Sequence, residues 1–372
     1  MRGAGALGAD VSVATIVASP LDEAGQGMTG DLVRVRLTYD GPTEAPPTLV
    51  AKFATDDRQT RGMLESFDAY GREIHFYRGL AERVVCRTPR HLGSALDPGK
   101  ARGPSPRVAR MIDTLPDRVQ LALTKDVGRY MKATKRRYAL LIEDLGADTT
   151  VYNATKPPPI DHLPTVLAAL AEMHAQFWDQ HDLVGHPALG HLVTRTPGLY
   201  QTEIRNRSLV LARERWSDWW TSEHTDLLLD ATDHLPADIE SINQRLTLVH
   251  GDPRSDNLLF LSVDSVALVD WALACFAHPG WDVSYLLSSS LEPADVGSMD
   301  GLVAGYHEQL TGHGVDLPIA DLESVIDAGL RTQAVQEALS VRVLPAAYGE
   351  AGALHDLWMP RILAALAHRR GP

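Results

Sequence analysis

Two spacings restrict this chain more than any other feature of its 372 residues. In His250-Gly-Asp252-Pro-Arg-Ser-Asp-Asn257 an aspartate precedes an asparagine by five residues, and Asp270 follows Asp252 by eighteen. β-prone runs bracket the loop, at 246–249 before it and at 258–263 and 266–269 after it, the last two joined at Asp264-Ser265. Asp and Asn are common in turns on their own account. A strand ending in the loop would nevertheless present Asp252 at its tip, and a hairpin folding back would set Asp270 beside Asn257. A proton acceptor and two hard oxygen ligands for one divalent cation would then share an edge. Incidental turn residues do not predict both spacings in that context.

The N-terminal third reads as β-structure. Val11 to Val17 is β-rich, and Val33, Val35, Leu37 and Tyr39 alternate with Arg34, Arg36 and Thr38 at period two. Between these runs lies Gly25-Gln26-Gly27-Met28-Thr29-Gly30, either a hairpin turn or a loop whose backbone N–H groups approach phosphate. A third strand, residues 48–54, carries Lys52 in an apolar run, where a lone charge is costly unless paired. Met63, Phe67, Tyr70, Ile74, Tyr77 and Ala81 then form one stripe at helical spacing, with Glu73 at its edge as a partner for Lys52. Residues 138–145 read as a strand ending in a connector. Beyond residue 160 the period turns helical: Leu163, Val166, Leu167, Leu170, Met173 and Phe177 line one face, and a second helix is expected over 199–229 with Trp216, Trp219 and Trp220. Helices resume after Pro279.

Charge and cysteine content remove several alternatives. A net charge of −13 disfavours nucleic acid and anionic membrane as partners. Residues 1–145 carry 22 Lys and Arg against 18 Asp and Glu, whereas residues 146–372 carry 13 against 30. No apolar run approaches membrane-spanning length, and no secretory signal is expected. Cys86 and Cys275 are far apart and in no metal-ligand spacing, which fits a reducing, cytoplasmic setting.

Taken together these blocks resemble the phosphotransferase superfamily of aminoglycoside phosphotransferases and choline kinases, and most closely its ecdysteroid kinase-like members. The resemblance rests on residues 25–36, Val50-Ala-Lys52, Arg72-Glu-Ile-His-Phe-Tyr77, residues 140–145, Leu170-Ala-Glu-Met-His-Ala175, the His250 loop and Asp270-Trp271. It implies an α+β, protein-kinase-like two-lobed fold. A β-rich nucleotide-binding lobe (1–145, with a basic insertion at about 97–137) would precede a mostly helical catalytic and acceptor-binding lobe (146–372). It further implies ATP and Mg2+ as cofactors and a small-molecule hydroxyl acceptor as partner. Asp252 would be the catalytic base and Asn257 with Asp270 the metal ligands. Lys52 oriented by Glu73, the loop Gly25, Gly27 and Gly30, and the hinge Glu143, Asp144 and Leu145 would bind the nucleotide. Asp282 would brace the catalytic loop, and His174 reads as a packing residue.

The chain departs from the family's usual pattern in its long basic segment before the hinge and in Pro253. No Ala-Pro-Glu segment follows Asp270, which disfavours a protein substrate. The acidic C-terminal half suits a cationic acceptor, and the tryptophans at 216–220 suit an apolar one. A nucleotide-binding module without turnover would also keep this fold, but such a module has usually lost one of the five key residues. Regulatory ATP hydrolysis would use the same site.

Overall fold

The computed structural model describes residues 1, 7–8, 10–21, 30–97, 111–112, 114–116, 118–120, 122, 136–146, 149–190, 196–244, 246–343 and 352–371. Gly25, Gly27 and most of the basic segment 97–137 lie outside the described residues. The N-terminal half is built on an antiparallel sheet of β1 (Val13–Pro20), β2 (Gly30–Tyr39), β3 (Thr48–Ala54), β4 (His91–Leu96) and β5 (Tyr138–Glu143), in the order β1-β2-β3-β5-β4. The alternation read in β2 holds, with Val35 and Leu37 buried against Leu49, Ala51 and Leu92 on one face. Lys52 is on the other face of a central strand. It pairs with Leu32 of β2 on one side and Leu140 of β5 on the other, so its head group cannot escape along a sheet edge. Gly30 is the last pair of the β2–β3 ladder, opposite Ala54, and belongs to the strand rather than to the turn. The first strand starts two residues later than its sequence suggested, and β4 was not anticipated.

The single apolar stripe expected over 63–81 is divided between two helices, α1 (Arg58–Ser66) and α2 (Ala69–Gly79). The division falls at Asp68, which adopts a left-handed conformation (φ 55°) that Asp tolerates better than most residues. Its carboxylate takes Arg136 Nη1 at 2.9 Å and lies over Gly71, where a Cβ would come within 2.6 Å of the carboxylate. Phe67 is exposed in consequence, and Ala81 falls beyond the end of α2.

The C-terminal half is mostly helical. Two small sheets hold the expected hairpin: β6 (Thr150–Val151) pairs β8 (Leu258–Ser262), which pairs β9 (Ser265–Leu268), while β7 (Thr247–Val249) pairs β10 (Cys275–Ala277). The helices are α3 (Leu163–Gln176), α4 (Pro197–Glu203), α5 (Leu209–Arg215), α6 (Ser222–Ile242), α7 (Gly280–Ser290), α8 (Met299–Gly312), α9 (Ile319–Val343) and α10 (Gly352–Arg370). The predicted stripe of α3 is buried throughout. The helix expected over 199–229 is broken instead. A π turn (Ile204–Ser208) joins α4 to α5, and α6 starts afresh because Thr221 and His224 form a reciprocal cap. Trp216 and Trp220 stack in the intervening turn, with rings 5.7 Å apart, and Trp216 Nε1 donates to Asp356 of α10 at 2.8 Å. The cluster packs the turn against α10.

One apolar core runs through both halves, because α2 is buried between the sheet and the C-terminal helices. Phe76 of α2 stacks on Trp271, immediately after Asp270, with centroids 4.1 Å apart and planes 9° from parallel. Among the described residues no helix is long and apolar enough to cross a membrane.

Candidate active site

The loop leaving β7 is fixed from three directions. Gly251 has φ 87°, and a Cβ there would meet Leu273 O at 2.3 Å, so no other residue fits. Asp282, fully buried in the first turn of α7, accepts the backbone N–H of His250 at 2.7 Å and of Gly251 at 2.9 Å through separate oxygens. Trp281 Nε1 donates to Gly251 O at 2.9 Å. His174 of α3 holds Asp282 in turn, with Nε2 at 3.2 Å and Nδ1 2.7 Å from the Tyr306 hydroxyl. Burial depresses the His250 pKa, and its neutral ring receives Asp252 N–H at Nδ1 and faces Val269 O with Nε2.

Within this frame Asp252 is buried. Asn257 Nδ2 donates to its backbone oxygen at 2.8 Å and to Oδ2 at 3.2 Å, while Oδ1 has no hydrogen-bond partner among the described residues. Burial raises the Asp252 pKa above the ordinary aspartate value; Arg254, whose Nη1 is 3.6 Å from Oδ2, opposes the rise and the charge of Asp270 adds to it. A carboxylate held at a raised pKa with one bare oxygen is a proton acceptor in waiting.

The β8–β9 hairpin brings the other end round. Leu258 pairs with Leu268, and Val269 N–H donates to Asn257 O at 3.0 Å, which carries Asp270 to the same edge. There Lys52 Nζ lies 2.9 Å from Glu73 Oε1 and 2.9 Å from Asp270 Oδ1. Burial alone would lower the lysine pKa, but the two carboxylates reverse it and keep the ammonium charged. Lys52, Glu73 and Asp270 therefore meet directly, and Asp252 with Asn257 forms a second group that Asp270 reaches electrostatically.

The donor set suits a magnesium ion. With Nδ2 turned to Asp252, the Asn257 amide keeps its oxygen as a ligand. Lys52 and Arg254 stand against Glu73, Asp252, Asp256 and Asp270, an excess of two negative charges. Among the described residues no three His, Cys, Asp or Glu side chains form a metal cage of their own. An amide and a carboxylate match a cation that takes its remaining ligands from water and phosphate.

At the connector, side chains are engaged by neighbours. Glu143 accepts from Arg87 Nη2 at 2.8 Å and Arg90 N at 3.0 Å, and Asp144 pairs with Arg34 at 2.8 Å and 3.1 Å. Any nucleotide contact by Glu143 and Asp144 therefore falls to the backbone.

A model of the ecdysteroid kinase-like family matches residues 24–317, most of the chain. This chain belongs to the ecdysteroid kinase-like family. The related families are small-molecule kinases that act on hydroxyl groups. A comparison with curated protein sequences found no match. Among solved structures, the GDP and kanamycin complex of APH(2")-IIIa aligns over 97% of this chain and 94% of its own, with TM-score 0.51 and 13% identity. An ethanolamine kinase from Plasmodium vivax aligns over 94% of this chain and 81% of its own (TM-score 0.48, 10% identity). A macrolide 2'-phosphotransferase from Brachybacterium faecium aligns over 98% and 94% (TM-score 0.45, 13% identity). At such identities the first of these likenesses is one of fold.

Three polar residues of this region escape a reading of the sequence. Tyr138 donates to Glu73 Oε2 at 2.7 Å and so holds the partner of Lys52. Its position two residues before Leu140 becomes informative only once β5 is registered against β3. Arg254 and Tyr285 flank Asp252. Tyr138→Phe is expected to leave Glu73 with one hydrogen bond fewer, at a cost of about 1.5–3 kcal/mol for a bond to a charged group. Chemical denaturation would read the loss, and a stability within about 0.5 kcal/mol of wild type would contradict it.

Proposed function

We propose that the chain is an ATP- and Mg2+-dependent phosphotransferase acting on a hydroxyl group of a small molecule. The N-terminal half, to about residue 145, would bind nucleotide, and the remainder would bind the acceptor. The observation that carries this reading is the buried Lys52 ammonium bridging Glu73 and Asp270 at the same edge as the bare Oδ1 of Asp252. Lys52 would contact the phosphates and Asp270 with Asn257 would hold the magnesium ion, which when bound neutralises charge on the transferred group. Asp252 orients the acceptor hydroxyl and takes its proton. The acceptor oxygen bonds to the γ-phosphorus, the bond to the β–γ bridging oxygen breaks, and ADP leaves. Most of the catalytic effect is positioning, which explains why the loop is so heavily braced.

Incubation with Mg2+ and ATP against hydroxyl-bearing compounds tests this, with ADP release and the mass of the acceptor as readouts. A product heavier by one phosphoryl group is expected. A folded sample that fails to bind Mg2+–ATP would overturn the reading.

A further inference from the structure

Asp270 has φ 62° and ψ 68°, a left-handed conformation. A residue other than glycine stays there only when the surrounding structure over-determines it. Part of that constraint comes from the chain just beyond. Residues Trp271–Leu273 form a short 3-10 turn, closed by Ala274 N–H on Trp271 O at 3.2 Å, and β10 follows at once. Helix α2 holds both ends of this turn with side chains four residues apart, which places them on one helix face. Phe76 stacks on Trp271 at the near end, and Arg72 Nη2 donates to Ala274 O at 2.5 Å at the far end. The residue after Arg72 is Glu73, the partner of Lys52.

Packing alone does not call for an arginine at position 72. Its side chain is buried, and Nε has no hydrogen-bond partner among the described residues. Among those residues the one carboxylate whose charge acts on it is Asp68, which is already bonded to Arg136 Nη1 at 2.9 Å. A buried guanidinium so poorly compensated is costly, and an apolar residue of similar volume often serves stability better. An apolar residue cannot, however, bond Ala274 O from α2. The surroundings are shaped around that bond. Gly190 lies over the guanidinium, where a Cβ would come within 2.3 Å of Cζ, and its own N–H meets Ala274 O at the longer distance of 3.3 Å. Leu273, the residue before Ala274, packs against Gly251 of the catalytic loop.

We infer that Arg72 is a positioning residue for the metal site: by pinning Ala274 to α2 it keeps Asp270 left-handed, with the carboxylate beside Lys52 and available to magnesium. The inference rests on the phosphotransferase reading, in which Asp270 is a ligand of that ion. Its test needs no acceptor. Calorimetry on the full chain measures AMP-PNP affinity without metal, and then the Mg2+ concentration that half-saturates binding in excess AMP-PNP. Arg72→Met should raise that concentration about tenfold, the low end of what losing a residue that orients a metal ligand costs. Metal-free AMP-PNP affinity should stay within about twofold, a change worth less than 0.5 kcal/mol, because Tyr138 holds Glu73 on Lys52 independently. Arg72→Lys keeps a cationic donor without the guanidinium fork and should recover part of the loss. Gly190→Ala attacks the same bond from the other side, by pushing the guanidinium off Ala274 O, and should reproduce the Arg72→Met result even if Arg72→Met does not fold. Thermal melts identify the folded variants. Folded variants with the wild-type Mg2+ requirement would overturn the inference. So would equal losses of affinity with and without metal, which would make Arg72 a support of the fold alone. Both results leave the phosphotransferase reading standing. A folded wild-type chain that does not bind AMP-PNP even with Mg2+ would instead remove that reading, and the role of Arg72 with it.

Discussion

Asp252→Asn is expected to lower kcat by about 10²–10⁴-fold, the usual contribution of a positioned general base, while the protein stays folded and binds Mg2+–ATP. The amide can keep its oxygen toward Asn257 Nδ2, so the loop retains its geometry. What it loses is the basic oxygen at the position of Oδ1, which nothing among the described residues replaces. The stability effect runs the other way. Burial raises the folded pKa of Asp252, so at neutral pH the native state bears the cost of an ionised buried carboxylate. That cost is absent below the unfolded-state pKa, where the group is neutral in both states, and is complete above the raised folded value. A neutral amide removes it, and the melting temperature of the variant should equal or exceed that of wild type at pH 7. The same shift sets the acid limb of activity. The wild-type rate should fall on acidification at a pH above the ordinary aspartate range, because the competent form is the carboxylate. Single-turnover rates across a pH series, with melting curves for both proteins, would check all three statements. A loss of less than tenfold in kcat would remove Asp252 from the role of base.

Local pattern made the edge that gathers Lys52, Asp252 and Asn257 legible in the sequence. The five-residue step from Asp252 to Asn257, the strand holding Lys52 and the buried stripe of α3 are each short-range features, with geometry set by strand and helix periodicity. The helix break at Asp68 was not legible, because it depends on a left-handed residue stabilised by Arg136, 68 positions further on. The same is true of the tryptophan turn, where a two-residue cap overrides a run that otherwise looks helical. Lys52 reaches Glu73 over 21 positions, and the apolar stripe hinted at that pairing. Its second contact, with Asp270, spans 218 positions and follows only from docking α2 against the turn at Trp271. Arg254 and Trp358 illustrate the limit most clearly. One sits in the loop and the other near the end of the chain, and neither is informative until α10 packs beside Asp252.

Asp282 carries the largest expected stability effect, although it touches no reacting atom. Removing the carboxylate in Asp282→Ala leaves two buried backbone N–H groups, those of His250 and Gly251, without their acceptor, and His174 without one of its two partners. Each orphaned donor costs about 1–3 kcal/mol. Breaking a buried, multiply bonded carboxylate site therefore costs about 3–5 kcal/mol in all. The melting temperature should fall by about 4–6 degrees, because a chain of 372 residues has a large unfolding entropy. Catalysis should fall independently of unfolding, because the freed loop no longer fixes Asp252, and a displacement of about 1 Å at the reacting group is worth about 10²-fold. Asp282→Asn keeps one acceptor oxygen and should lie between Asp282→Ala and wild type in both measurements. Thermal melts paired with single-turnover rates, taken well below each variant's melting temperature, separate the two effects. Asp282→Ala melting within two degrees of wild type, with kcat changed less than threefold, would mean that Trp281 and Gly251 alone hold the loop. A loss of kcat without a change in melting temperature would instead place Asp282 closer to the chemistry than its hydrogen bonds suggest.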